Sequence, residues 1–147
     1  MSTGTYENPD YSLLGEDHVR AYQATDGETG YWWNGTPTLL LTTTGRRSGE
    51  ERTTPLIFGR DGDDYVVVAS VGGMPRHPGW YLNLQHDANA RIQVKGERLD
   101  VVARTASDDE KPRLWKLMNE VWPNYDRYQE RTDRVIPVVV LSPDAHE

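Results

Sequence analysis

The chain of 147 residues contains no cysteine, which excludes a disulfide framework and thiolate chemistry. No apolar run approaches the roughly 20 residues that a membrane-spanning helix needs, and the opening MSTGTYENPD carries no apolar core of a secretion signal. A cytoplasmic protein is the expectation. Basic side chains are in deficit, 16 Lys and Arg against 23 Asp and Glu, for a formal net charge of −7. Such a surface has no general attraction for nucleic acid or for anionic membranes. Phenylalanine occurs once, against 5 tryptophans and 8 tyrosines. Aromatics with a polar handle suit the wall of a pocket for a flat, polar ligand, and they suit core edges equally well. Several catalytic signatures are missing too. There is no Walker loop, no GxGxxG after a strand and no GxSxG. Histidines 18, 77, 86 and 146 lack a metal-ligand spacing, so no metal is expected. An enzyme built this way takes its reactivity from a bound organic cofactor.

What is present centres on TLLLTTTGRRSGEERTTP, Thr38 to Pro55. Leu39 to Leu41 followed by Thr42 to Thr44 is an apolar, β-branched run of strand length. Gly45 and Gly49 bracket Arg46, Arg47 and Ser48 in a turn. Two guanidiniums, hydroxyls and free backbone N–H groups at a strand end are suited to a phosphate or carboxylate. A solvated hairpin with two surface arginines is the plainer reading of the same turn. Charge distribution favours a local site. Arg46, Arg47, Arg52 and Arg60 face only Glu50 and Glu51 within residues 45–60, a basic stretch inside an acidic chain.

Along the chain, residues 1–12 read as a polar arm. Gly15 to Thr25 reads as a short helix with Val19 and Tyr22 on one face. Tyr31, Trp32 and Trp33 follow in a turn-rich segment, and the two tryptophans are candidates to cover a pocket. Arg52 to Arg60 reads as a strand with Pro55 at an edge or bulge. Asp61-Gly62 marks a hairpin leading to a strand over Tyr65 to Ser70. Gly72-Gly73 breaks that strand, and Pro78 opens a helix through Trp80 and Leu84. The helix start behind Arg76 and His77 is a second anion-binding candidate. Ala90 to Val94 and Glu97 to Arg104 form another hairpin. Ser107 with Glu110 makes a capping box for a helix to Trp122, with Leu114, Leu117, Met118 and Val121 as its apolar face. Tyr125 and Tyr128 share one side of a helical turn, and Val135 to Leu141 is the last strand. About six or seven mostly antiparallel strands with three or four helices predict an α+β protein, a small closed or split β-barrel with appended helices. Residues 1–25 are expected to be an arm with a short helix, and 26–147 a single domain.

LLLTTTGRRSGEERTTPL, VVVASVGGMPRHPGWYLNL and YDRYQERTDRVIPVVVL together resemble the deazaflavin-dependent nitroreductase family, actinobacterial enzymes that use reduced coenzyme F420 on a split β-barrel of the FMN-binding type. The likeness runs from about Thr38 to Pro143, with the region before about Thr25 outside it. It implies that Arg46, Arg47, Ser48 and Gly49 grip the cofactor's phosphate and acidic tail. Pro55, Ala69, Ser70, Gly72, Gly73, Pro78 and Trp80 are implied beside the deazaflavin, and Tyr125 and Tyr128 on the substrate side. Two positions depart from the family pattern. Val71 stands where lysine is frequent, and Ile57-Phe58 replaces a strand that often carries tyrosines.

The reaction so implied is hydride transfer from F420H2 to an electron-poor small molecule, an activated alkene, a quinone or a nitroaromatic. Tyr125 or Ser70 would hydrogen-bond the developing oxyanion or supply a proton. The neighbouring readings are an FMN-dependent barrel oxidoreductase, a deazaflavin carrier without turnover, and an interaction protein with a vestigial site. Exposed aromatics and sheet edges make a homodimer the expected assembly.

Overall fold

A computed structural model describes residues 13–144; the arm expected over residues 1–12 lies outside the described residues. The described residues form eight strands: β1 (Trp32–Trp33), β2 (Thr36–Thr44), β3 (Glu51–Ile57), β4 (Gly59–Asp61), β5 (Asp64–Val68), β6 (Asn89–Val94), β7 (Glu97–Thr105) and β8 (Val138–Pro143). All pairings are antiparallel. The spatial order is β1-β2-β6-β7-β8-β5-β4, with β3 paired to β2 off that path.

β3 and β4 therefore lie at opposite ends of the sheet, although only Phe58 separates them in sequence. One residue reaches at most about 3.6 Å, so the two ends must be brought together. The sheet curls on itself, and the result is the expected split barrel of the α+β class. Reading Arg52 to Arg60 as one strand is corrected here. The ladder breaks at Phe58, whose ring turns inward against Tyr31 and Tyr65. That break and the short β1 raise the strand count to eight.

Period-two alternation sorts the strands between two cores. Leu39, Leu41, Val67, Val139 and Leu141 point into the barrel with Ile92 and Val101. Val66, Val68, Val138 and Val140 point outward, under a helical layer. That layer is α3 (Lys111–Val121) and α4 (Asn124–Glu130), which contribute Leu114, Met118, Tyr125 and Tyr128. Gly59 lets α3 approach, since a Cβ there would lie 2.8 Å from Met118 Sδ. The capping box forms, with Ser107 N–H donating to Glu110 Oε1 at 2.9 Å and Glu110 N–H to Ser107 Oγ at 3.3 Å. It closes a separate turn, and the helix proper starts at Lys111.

α2 (Gly79–His86) begins behind Pro78 as expected. β8 starts at Val138, so Pro137 precedes the strand, and its carbonyl accepts from Ala69 N–H at 3.0 Å. α1 (Gly15–Thr25) packs against β3. Its buried residues are His18 and Tyr22, whereas Val19 stays partly exposed. No helix among the described residues is long and apolar enough to cross a membrane.

Candidate functional site

Two compartments open along β3 and meet. The first, of about 440 Å³, is lined by Gly45, Arg46, Arg47, Ser48 and Arg52, with Gly79 and Asn83 of α2. The second, of about 420 Å³, is apolar and aromatic, lined by Pro55, Ile57, Trp33, Trp122, Tyr125 and Tyr128 among others. Thr54 and Trp80 belong to both, so one cleft runs from a basic end to an aromatic end.

The basic end is built by a closed turn. Gly45 N–H donates to Glu50 O at 2.7 Å, Gly49 N–H to Gly45 O at 2.9 Å, and Glu50 N–H to Ser48 Oγ at 3.1 Å. Arg46 does not swing freely. Its backbone N–H and its guanidinium both donate to Asn83 Oδ1, at 3.2 and 2.9 Å. Asn83 is itself anchored by donating to Thr43 Oγ1 at 3.1 Å. Among the described residues no acidic side chain lines this end. The α2 N-terminus adds the positive end of a helix dipole there. The arginine turn and the start of α2 thus line one compartment. Arg76 and His77, placed at that helix start by the sequence, line neither compartment.

The aromatic end is held by a residue that sequence reasoning missed, Arg134. Its guanidinium donates to Ala69 O at 3.0 Å, Ser70 O at 2.8 Å and Met74 O at 3.1 Å. It also meets His77 Nδ1 at 2.9 Å. Burial and this cation hold the His77 imidazole below its usual pKa, so Nδ1 accepts. The clamp fixes a loop with three successive positive φ angles, 45° at Val71, 60° at Gly72 and 83° at Gly73. Ser70, Val71, Gly72 and Pro78 line the compartment. Gly73 does not; a Cβ there would sit 2.5 Å from Tyr128 O, so it packs against α4. Ala69 is buried in the barrel core and Gly49 shapes the turn, so neither lines the cleft.

Tyr125 is 4% exposed. Burial, and secondarily Tyr128, raise its phenol far above the usual range, so it stays protonated as a hydrogen-bond donor. Tyr128 accepts from Trp122 Nε1–H at 3.3 Å. Trp33 lines the compartment and packs on Trp122 with ring centroids 5.6 Å apart. Trp32 points away, 64% exposed. Ile57 lines the cleft where Phe58 does not. His18 lines it too, unannounced by any spacing in the sequence.

The family model described as F420H(2)-dependent quinone reductase matches residues 15–143. The match thus starts well before Thr38 and takes in α1. An F420H(2)-dependent quinone reductase of Mycobacterium tuberculosis is 46% identical over 129 residues, covering 85% of this chain and 87% of the relative. The solved F420-H2 dependent reductase FDR-A is 40% identical with a TM-score of 0.67, covering 72% of this chain and 94% of that one. A solved structure described as a domain-swapped dimer is also 40% identical, with a TM-score of 0.68, covering 72% and 80%.

Proposed function

This chain belongs to the F420H(2)-dependent quinone reductase family, and we propose that it reduces a quinone-class acceptor with F420H2 in the cleft along β3. The observation that carries this reading is the junction of the two compartments at Thr54 and Trp80. A ligand with an anionic tail and a flat ring system needs such a site, cationic at one end and aromatic at the other. The donor set fits the tail: Arg46, Arg47 and Arg52 line the compartment with the α2 N-terminus, and Glu50 stands 4.0 Å from Arg52 Nη2. Pro55, Trp80 and the Ser70–Gly72 backbone would lie along the ring.

Bound F420H2 supplies a hydride equivalent. The protein's own contribution is positional and electrostatic. Asn83 presets Arg46, so little guanidinium freedom is lost on binding. Trp33 and Trp122 wall off water beside the acceptor. The Tyr125 hydroxyl, and Ser70 as a second donor, would hydrogen-bond the oxygen on which negative charge develops. Substrate preference follows this chain's own lining, including Ile57 and Val71. A homodimer belongs to the same reading, supported by the relative described as a domain-swapped dimer.

The test is anaerobic assay of a naphthoquinone with F420H2 or reduced FMN as donor. F420H2 oxidation that depends on both protein and quinone is expected, with little turnover from FMN. Binding of F420H2 without oxidation by any electron-poor acceptor would mark a carrier instead, and preference for FMN would mark a flavin barrel.

A further inference from the structure

Two polar groups on the wall of the aromatic compartment have hydrogen-bonding capacity that the protein leaves unused. His18 of α1 and Thr38 of β2 both line it, at 3% and 2% exposure. Thr38 Oγ1 is, among the described residues, the one side-chain N or O atom closed off from solvent that has no hydrogen-bond partner. The His18 ring is oriented by the 2.8 Å bond from Nε2 to Gly30 O. A carbonyl only accepts, so Nε2–H donates to it, and the tautomer with that donor presents Nδ1 as an acceptor. Gly30 holds that orientation closely, since a Cβ there would lie 3.0 Å from His18 Cδ2. Tyr22, one helical turn beyond His18, donates to Thr38 O at 3.0 Å. That bond draws the helix face bearing His18 against the strand bearing Thr38.

We propose that His18 and Thr38 form a recognition subsite for a hydroxyl group on the electron acceptor, an oxygen that donates to His18 Nδ1 and accepts from the Thr38 hydroxyl. This rests on the quinone-reductase reading and deepens it to a substrate class, quinones that carry a phenolic hydroxyl. A carbonyl or ether oxygen would satisfy Thr38 and leave Nδ1 unmet, so the pair distinguishes a hydroxyl from its methyl ether. Buried polar partners discriminate strongly against an analogue that cannot pair with them.

The experiment titrates protein loaded with oxidised F420 with three naphthoquinones, bearing a hydroxyl, a methoxy group or hydrogen on the second ring. Quenching of tryptophan fluorescence reports binding, because Trp33, Trp80 and Trp122 line the compartment. The hydroxylated compound should bind at least about fivefold more tightly than its methyl ether, the scale of one neutral hydrogen bond. His18→Phe should bring that ratio to about 1, as expected on losing the acceptor. Thr38→Val, near-isosteric, should weaken the hydroxylated compound as well, and it keeps the test decisive if His18→Phe does not fold. Equal binding of all three by the wild type, a ratio that survives His18→Phe, or unchanged affinity for the hydroxylated compound in Thr38→Val overturns the subsite. If all three are reduced by F420H2 with no hydroxyl preference, the subsite fails while the quinone reading stands. If none is bound or reduced, both fail.

Discussion

Asn83 Oδ1 accepts from both the backbone and the guanidinium of Arg46, at 3.2 and 2.9 Å, and so one buried amide on α2 sets the shape of a turn between β2 and β3. The basic end of the cleft is therefore made by two elements far apart in the chain. Replacing Asn83 with Leu leaves Thr43 and Arg46 without their partner. Urea unfolding should show a loss of about 1–3 kcal/mol. F420 affinity should fall with it, by tryptophan quenching. Unchanged affinity would mean that Arg46 needs no presetting.

Tyr125 offers a cleaner separation of binding from turnover. No hydrogen bond ties its hydroxyl to the described residues, so Tyr125→Phe should leave the melting temperature nearly unaltered. Cofactor affinity should also hold. Turnover should fall on the order of 10–100-fold if the phenol stabilises an oxyanion. An unchanged kcat would assign that role elsewhere, with Ser70 the next residue to test.

Gly73 is predicted to be intolerant of any side chain. Its φ is 83° and an added Cβ would meet Tyr128 O at 2.5 Å. Gly73→Ala should lower stability by about 1–3 kcal/mol, through backbone strain together with displacement of α4. Because α4 carries Tyr125 and Tyr128, quinone KM should rise more than F420 affinity changes. A variant as stable as the wild type would mean that α4 shifts freely.

Acid sensitivity has an identified contributor outside the cleft. Arg104 first, then the Ser107 N–H, lower the Glu110 carboxyl from 4.5 to about 2. A carboxylate depressed in the folded state stabilises the fold above its unfolded pKa and loses that contribution as pH falls through the folded value. Glu110→Gln should therefore melt lower than the wild type at pH 7. The gap should close between about pH 4.5 and about pH 2. A gap that persists at pH 2 would point to the capping geometry rather than the charge.

Local chemistry made much of this legible in advance. The Thr38–Pro55 run announces strand, turn and strand. The GRRSG turn announces a cluster of guanidiniums and a hydroxyl at one strand end, and the Tyr125/Tyr128 spacing announces a shared helix face. Contacts that depend on closure of the barrel were not legible. Arg134 looks like one more charge in a polar segment, yet it bonds backbone carbonyls of Ala69, Ser70 and Met74 some sixty residues away. Asn83 sits in a helix whose apolar residues draw attention first. His18 reads as a polar residue on a surface helix, and only packing of α1 on β3 brings it to the cleft. Phe58 reads as strand continuation, because nothing local shows that the chain crosses there between the two ends of the sheet.

The central claim is that the arginine turn holds the acidic tail of F420 while the aromatic compartment holds its ring. The most direct measurement compares dissociation constants of F420 and of a deazaflavin lacking the phosphate and acidic tail, for wild type and for Arg46→Ala/Arg47→Ala. The wild type should favour intact F420 by at least about tenfold, since each charge-assisted bond contributes about 1.5–3 kcal/mol. The double variant should bind the two compounds nearly alike, with tail-less affinity preserved. Equal preference for intact F420 in wild type and variant would contradict the account, because the tail would then be held somewhere other than this turn.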